Sequence, residues 1–135
     1  MPQHLLITGA SSGIGKAAAE ALVQNGFTVF AGALNETEAQ RMRATGSAGL
    51  VPVVLDVTSM ASIQAALETI AKTLGPGGFL TALVNCAGVD YNAPLHILSE
   101  TEIAQMIAVN YTGCIMLTRA VLPLLLPTLL ASGNL

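Results

Sequence analysis

Charge is scarce in this sequence. Five basic and eight acidic residues among 135 make it 10% charged and 53% apolar, with a net charge of −3 and a pI of about 5.1. So few cations cannot line a surface that neutralises a row of phosphates, and a nucleic-acid partner would lack its main attractive term. Domains of this size usually carry about a quarter charged residues. The shortfall, with a mean hydropathy of +0.66, implies surface buried against a partner subunit or further chain. The apolar content excludes general disorder and suffices for one ordinary core.

Cysteine is nearly absent too. Cys86 and Cys114 form no C-x-x-C pair and have no histidine at ligand spacing, so neither a disulfide scaffold nor a metal site is indicated. Such usage favours a reducing, cytoplasmic setting. The N-terminal Met1-Pro2-Gln3-His4 lacks the basic start of a secretion signal. The longest apolar stretch, Gly113 to Ala131, is interrupted by Arg119, Pro123 and Pro127. It is expected to be a buried helix and its exit, not a membrane span. His4 and His96 are expected on the surface and in a loop, with neither a ligand nor a base role.

Strand and helix patterns alternate through the chain. Leu5-Leu6-Ile7 is a short apolar run, followed by a helical pattern through Ile14, Ala17, Ala18, Ala21 and Leu22 that stops at Gly26. Phe27 to Ala33 predicts a second strand. Asn35 and Glu38 form a helix-start box, and that helix ends near Gly46. Leu50 to Val57 predicts a third strand, against which Pro52 argues locally. Ile63, Ala66, Leu67, Ile70 and Leu74 share one helix face, closed by Gly75-Pro76. Leu80 to Val84 predicts a fourth strand, leading into Asn85-Cys86-Ala87-Gly88. Ser99 with Glu102 opens the longest helix, whose inward stripe is expected at Ile103, Met106, Ile107, Asn110, Cys114, Leu117 and Val121.

This order calls for an α/β fold with a parallel sheet covered on both faces. Right-handed crossovers give a doubly wound, Rossmann-type arrangement with strand order 3-2-1-4. No repeat or linker divides residues 1 to 135, which predicts a single domain. Ser132-Gly133-Asn134-Leu135 resembles the turn into a fifth strand, so the domain is expected to be incomplete at its C-terminus.

The chemistry concentrates in Thr8-Gly9-Ala10-Ser11-Ser12-Gly13-Ile14-Gly15, between the first strand and first helix. Glycines there permit a tight turn and close approach of a pyrophosphate, whose oxygens meet the amides of the first helical turn. A nucleoside-triphosphate loop fails in register: Ala10 stands where its first glycine would be, and Ala17 where its magnesium-binding hydroxyl would be. Lys16 is then a solvated helix residue.

Three further polar positions have plain structural readings as well. Asp56 could start the following helix, where acids are favoured. Asn85 could be a turn former. Asn110, placed on the expected buried stripe, needs a partner, because an unpaired buried amide costs about 1–3 kcal/mol; otherwise it satisfies a local backbone kink.

Together these residues resemble the classical short-chain dehydrogenase/reductases. Thr8 to Gly15 matches that family's T-G-x-x-x-G-x-G loop. Asp56-Val57 is similar to the pair that holds the adenine ring. Asn85-Cys86-Ala87-Gly88 resembles the N-N-A-G turn bordering the cofactor, with Cys86 a departure. Asn110, followed by Gly113, matches the asparagine of the catalytic tetrad. The resemblance implies an NAD(P)-dependent oxidoreductase that moves hydride between nicotinamide and an alcohol or carbonyl substrate. The implied cofactor-binding residues are Thr8, Gly9, Ser11, Ser12, Gly13, Ile14, Gly15, Asp56, Val57, Asn85, Ala87 and Gly88. It also implies a homo-oligomer formed through the helix carrying Asn110.

The same resemblance exposes an absence. The family's tyrosine is followed by a lysine four positions later, whereas Tyr91 is followed there by Leu95 and Tyr111 by Ile115. Of the tetrad only Asn110 is present. The chain is therefore expected to be the N-terminal part of a protein roughly twice as long, through a truncated gene model or a fragment, or else a true short product. The 135 residues alone are expected to be inactive and strongly self-associating, because the fourth strand would leave an apolar edge. The alternative is a non-catalytic dinucleotide-binding or dimerisation protein derived from the family. After the second strand, Gly32-Ala33-Leu34-Asn35-Glu36 has no basic residue. This favours NAD over NADP, with Asn35 or Glu36 as the expected ribose contact. A loose likeness of Phe30 to Arg43 to the branch acting on retinoids and hydroxysteroids leaves the substrate unassigned.

Overall fold

The computed structural model describes residues 3–125. Its first strand, β1 (His4–Ile7), leads to α1 (Gly13–Gln24), β2 (Thr28–Ala33), α2 (Glu36–Ala44), β3 (Leu50–Val54) and α3 (Met60–Leu74). There follow β4 (Ala82–Val84), α4 (Glu100–Ile107), a π-helical segment (Ala108–Gly113) and α5 (Cys114–Leu125). All strand pairs are parallel, in the order β3-β2-β1-β4. The doubly wound sheet expected from the strand and helix alternation is the fold of the chain. The expected turn into a fifth strand lies outside the described residues.

The alternation of side chains along a strand sorts the core into two layers. Leu6 and its register partner Phe30 face α3 and α5, packing with Ile63, Ile70, Leu117 and Val121. Ile7 and Ala31 face the opposite way, toward Ala19 of α1 and Ala39 and Met42 of α2. The first layer takes the large side chains, while the alanines of the second let α1 and α2 approach the sheet closely. Leu6, Ile7 and Phe30 are fully buried, each contributing about 1.5–3 kcal/mol.

Several local expectations change in the folded chain. β3 ends at Val54, and Asp56-Val57 belong to the turn beyond it. Pro52 lies inside β3, paired with Ala31; β3 is an edge strand, where a missing donor is tolerated. Asp56 does not start α3, whose N-cap is Ser59 accepting from Ser62 N–H. Ile14, at the start of α1, is 83% exposed. His4 is half-buried in β1, its ring stacked 6.2 Å from that of Phe30.

The long helix departs most from its expected stripe. Val109, Gly113, Leu117 and Val121 are buried, whereas Ile107 and Asn110 are exposed. The cause is the π-helical turn over Ala108–Gly113. One extra residue in a turn changes the phase of the preceding side chains by about 100°. The buried line running back from Val121 and Leu117 thus reaches Gly113 and Val109, not Cys114 and Asn110. Gly113 accommodates the close packing this needs: a Cβ there would lie 2.7 Å from Val57 Cγ2 and 2.9 Å from the Val57 carbonyl oxygen. By length and composition the Glu100–Leu125 run could cross a membrane, yet Leu117 and Val121 anchor it in the sheet core.

Candidate functional site

A cavity of about 760 Å³ opens at the carboxyl ends of the strands. It sits where the chain order reverses, since β1 is flanked by β2 on one side and β4 on the other. In open α/β sheets this crevice is the ligand position.

Its floor is the loop between β1 and α1. Gly9 has φ +59° and approaches the Ala87 backbone so closely that a Cβ would sit 2.8 Å from Ala87 Cα. Gly15 packs its α-carbon against the turn, where a Cβ would meet the Gly9 carbonyl oxygen at 2.2 Å. Ser12 is the N-cap of α1, but its side chain makes no capping bond. By contrast Asn35, Ser59 and Ser99 each cap their helices through the side chain. The first amides of α1 thus take no side-chain cap, and Ser11, Ser12 and Gly13 beside them line the cavity.

Thr8 works beneath the surface. It is 1% exposed, and its hydroxyl oxygen accepts from the amides of Cys86 and Ala87 at 3.0 and 2.9 Å. This ties the glycine loop to the turn after β4, where Cys86, Ala87, Gly88 and Val89 form a cavity wall. Asn110 holds that wall from behind: Oδ1 accepts from Val89 N–H at 2.8 Å and Nδ2 donates to the Val89 carbonyl at 2.7 Å. Asn85 points away from the cavity, donating through Nδ2 to Thr118 Oγ1 on α5 at 3.1 Å.

The third wall comes from the turn after β3. Asp56 Oδ1 accepts from the Thr58 amide at 2.9 Å and its hydroxyl at 2.6 Å, while Asp56 N–H donates to Ser62 Oγ. Leu55, Asp56, Val57 and Thr58 line the cavity, with Gln105 and Val109 beside them.

Ten residues singled out in the sequence therefore border one cavity: Gly9, Ser11, Ser12, Gly13, Ile14, Gly15, Asp56, Val57, Ala87 and Gly88. Thr8, Asn85 and Asn110 support its walls. Asn35 does not line this cavity. It is exposed and its Oδ1 is taken by Glu38 N–H at 3.0 Å, while Glu36 pairs with Arg43. At the end of β2 the cavity is lined by Leu34 and Glu38 instead. Glu38 Oε2 accepts from Leu34 N–H at 2.9 Å, so the helix-start box itself turns this carboxylate back toward the strand end. That signal was present in the sequence as Asn35-x-x-Glu38. Gln105 had no such signal, because it joins the site only through packing of α4.

The family model described as "short chain dehydrogenase" matches residues 3–134. The chain belongs to the short-chain dehydrogenase family. Human 17-beta-hydroxysteroid dehydrogenase type 2 is 38% identical over 124 residues, covering 90% of this chain and 32% of that protein. The uncharacterized oxidoreductase YbbO of Escherichia coli K12 is 37% identical over 128 residues, covering 94% and 45%. Among solved structures, NADPH-bound carbonyl reductase from chicken fatty liver superposes with a TM-score of 0.80 at 29% identity, covering 91% of this chain and 48% of that one. Serine dehydrogenase from Escherichia coli gives 0.79 at 30% identity, covering 90% and 55%. The chain spans between about a third and a half of these two curated relatives.

Proposed function

We propose that this chain is the dinucleotide-binding part of an oxidoreductase that moves hydride between nicotinamide and an alcohol or carbonyl. The observation that carries the reading is the Gly9–Gly15 turn, which lines a cavity at the strand-order reversal and leads into α1, whose first amides have no side-chain cap. Those amides suit a pyrophosphate, and both close glycine approaches fit a loop that must stay narrow beneath it. The names of the dehydrogenase and reductase relatives support the substrate class.

The bound dinucleotide would supply the hydride donor or acceptor. Ser11, Ser12 and the α1 amides bind its phosphates; Asp56 and Val57 border its adenine; Gly88 and Val89, held by Asn110, form the wall toward the reacting ring. Asn110 is the tetrad member in these 135 residues. Neither Tyr91 nor Tyr111 has a lysine four positions on, so the chain by itself is expected to bind without turnover.

NAD is the preferred dinucleotide in this reading. Among the described residues the cavity lining includes two carboxylates, Glu38 and Asp56, and no lysine or arginine. Glu38, rather than Asn35 or Glu36, takes the ribose hydroxyls and repels an added phosphate. NADPH is bound by the carbonyl reductase relative, and that protein's preference is not carried over. A homo-oligomer through α4 and α5 fits the exposed Ile107, Tyr111 and Ile115, at 55%, 66% and 49% exposure.

The test is a titration of the folded chain with NADH, followed by the fluorescence of the reduced nicotinamide. Saturable binding supports the reading; a folded chain that leaves the fluorescence unchanged overturns it. The alternative is a non-catalytic binding or dimerisation protein. The intact mass of the native product separates the two: 13.8 kDa supports the short protein, and roughly twice that supports the enzyme.

A further inference from the structure

We propose that Asn25-Gly26, where α1 ends, is a site of spontaneous deamidation whose rate is set by the last turn of that helix. The chain has six asparagines, and Asn25 is the one followed by glycine. The reaction needs a following residue whose backbone nitrogen is unhindered, and glycine has no side chain to shield it. Both residues are exposed, and a Cβ at Gly26 would meet nothing within 4 Å. Neither Asn25 nor Gly26 lines the dinucleotide cavity, so the outcome is independent of the reading above.

The step needs no co-reactant but water. The Gly26 nitrogen attacks the side-chain carboxamide carbon of Asn25, forming a C–N bond while the bond from that carbon to Nδ2 breaks. Nδ2 leaves as ammonia, and the proton balance is met by the one given up from the Gly26 nitrogen. The product is a cyclic succinimide. Water then opens either of its carbonyls, giving aspartate at this position or isoaspartate, in which the chain runs on through the former side-chain carbon.

The folded chain holds both reacting groups away from this path. Gly26, at φ +86°, closes α1 with a pair of bonds: its N–H donates to the Val23 carbonyl at 3.0 Å, and Phe27 N–H donates to the Leu22 carbonyl at 3.1 Å. Asn25 Nδ2 donates to the Ala21 carbonyl at 2.8 Å. The attacking nitrogen and the amide under attack are thus tied to different carbonyls of one turn, and reaction waits for that turn to open. Helix ends are where such opening costs least. The product cannot remake the cap. A carboxylate there has no proton to give the Ala21 carbonyl and stands at the negative end of the helix dipole. Isoaspartate also lengthens the link to β2, where Thr28 N–H must still reach the Gln3 carbonyl.

The experiment incubates the 135-residue chain in mildly alkaline buffer, folded and in urea, with Asn25→Gln in parallel and circular dichroism confirming the folded state. Peptide mass spectrometry follows amide-to-acid conversion at each asparagine, and an isoaspartyl methyltransferase assay reports the rearranged backbone. In the folded chain, conversion is expected at Asn25 before any other asparagine, at least about tenfold slower than in urea. Asn25→Gln should form no methyl-accepting product there. Asn25→Asp should melt about 4 °C below wild type. Complete retention of Asn25 in the folded chain after the unfolded chain has converted, or earlier conversion at another asparagine, overturns the site. Equal rates with and without urea overturn the control by the helix turn, and an Asn25→Asp variant that melts with wild type overturns the loss of the cap.

Discussion

The Asn110 side chain takes both hydrogen-bonding groups of a single residue, Val89. It accepts from the Val89 amide at 2.8 Å and donates to the Val89 carbonyl at 2.7 Å. A π-helical turn thus grips the backbone of the cavity wall as a neighbouring strand would. The Gly88 α-carbon lies against the same carboxamide, since a Cβ there would come within 3.4 Å of Asn110 Oδ1.

Replacing Asn110 by alanine removes both bonds. Asn110→Ala should lower stability by about 1–3 kcal/mol in urea denaturation and weaken NADH binding severalfold by loosening Val89. Asn110→Asp should be worse at neutral pH, because a carboxylate would then face the Val89 carbonyl. Unchanged NADH affinity in a folded alanine variant would detach Asn110 from the wall.

Thr8 joins the cavity floor to the wall after β4 with one oxygen. Thr8→Val keeps its shape but leaves the Cys86 and Ala87 amides without a partner, which should cost about 2–4 kcal/mol. Thr8→Ser should retain most of the stability. Chemical denaturation of the three proteins decides whether the hydroxyl or the methyl matters.

The loop glycines should respond very differently to alanine. Gly15→Ala drives a Cβ into the Gly9 carbonyl oxygen at 2.2 Å, so the turn must open and NADH affinity should fall by at least about tenfold. Gly13 has φ +57° but open space around it. Gly13→Ala should therefore cost only the left-handed backbone penalty of about 1–2 kcal/mol. Equal losses in binding would mean that the close approach of Gly15 is unimportant.

Glu38 should set the preference between dinucleotides. Glu38→Arg replaces a carboxylate at the cavity rim with a cation suited to a phosphate, and should shift the NAD-to-NADP affinity ratio toward NADP by about tenfold or more. It also sacrifices the Leu34 contact, so Glu38→Ala, which loses that contact without adding a cation, serves as control. An unchanged ratio in Glu38→Arg would remove Glu38 from the ribose site.

The start of α4 should be sensitive to acid. Backbone and side-chain hydrogen bonds from Ser99 hold the Glu102 carboxyl below its ordinary carboxylate range. The carboxylate is favoured in the folded state, so its stabilising contribution is present above the unfolded value and lost as pH falls through the lowered folded one. Thermal melts of wild type and Glu102→Gln should differ at pH 7 and converge as the acid is protonated. A gap that does not change with pH would exclude the carboxylate as its source.

Much of the fold was legible because it rests on local rules. The apolar strand runs, the Ser99-x-x-Glu102 box and the helix stop at Gly75 each act within a few residues. The edge position of β3, which makes Pro52 tolerable, is a property of the whole sheet. The π-helical turn was hidden for a similar reason. A regular period carried from Ile103 to Val121 places Asn110 inward, and only packing of Gly113 against Val57 changes the phase.

By itself the sequence determined the doubly wound order and the glycine loop, since strand alternation, helix periodicity and the steric freedom of glycine are local properties. It also placed Asn110 on the inward stripe of the long helix, in need of a partner it could not name. The tertiary structure decided its partner, Val89, and decided that Glu38 and Gln105, not Asn35, share the cavity with Asp56. Those groups lie far apart in the chain, and what brings them together is the way the strand ends and α4 pack around one crevice.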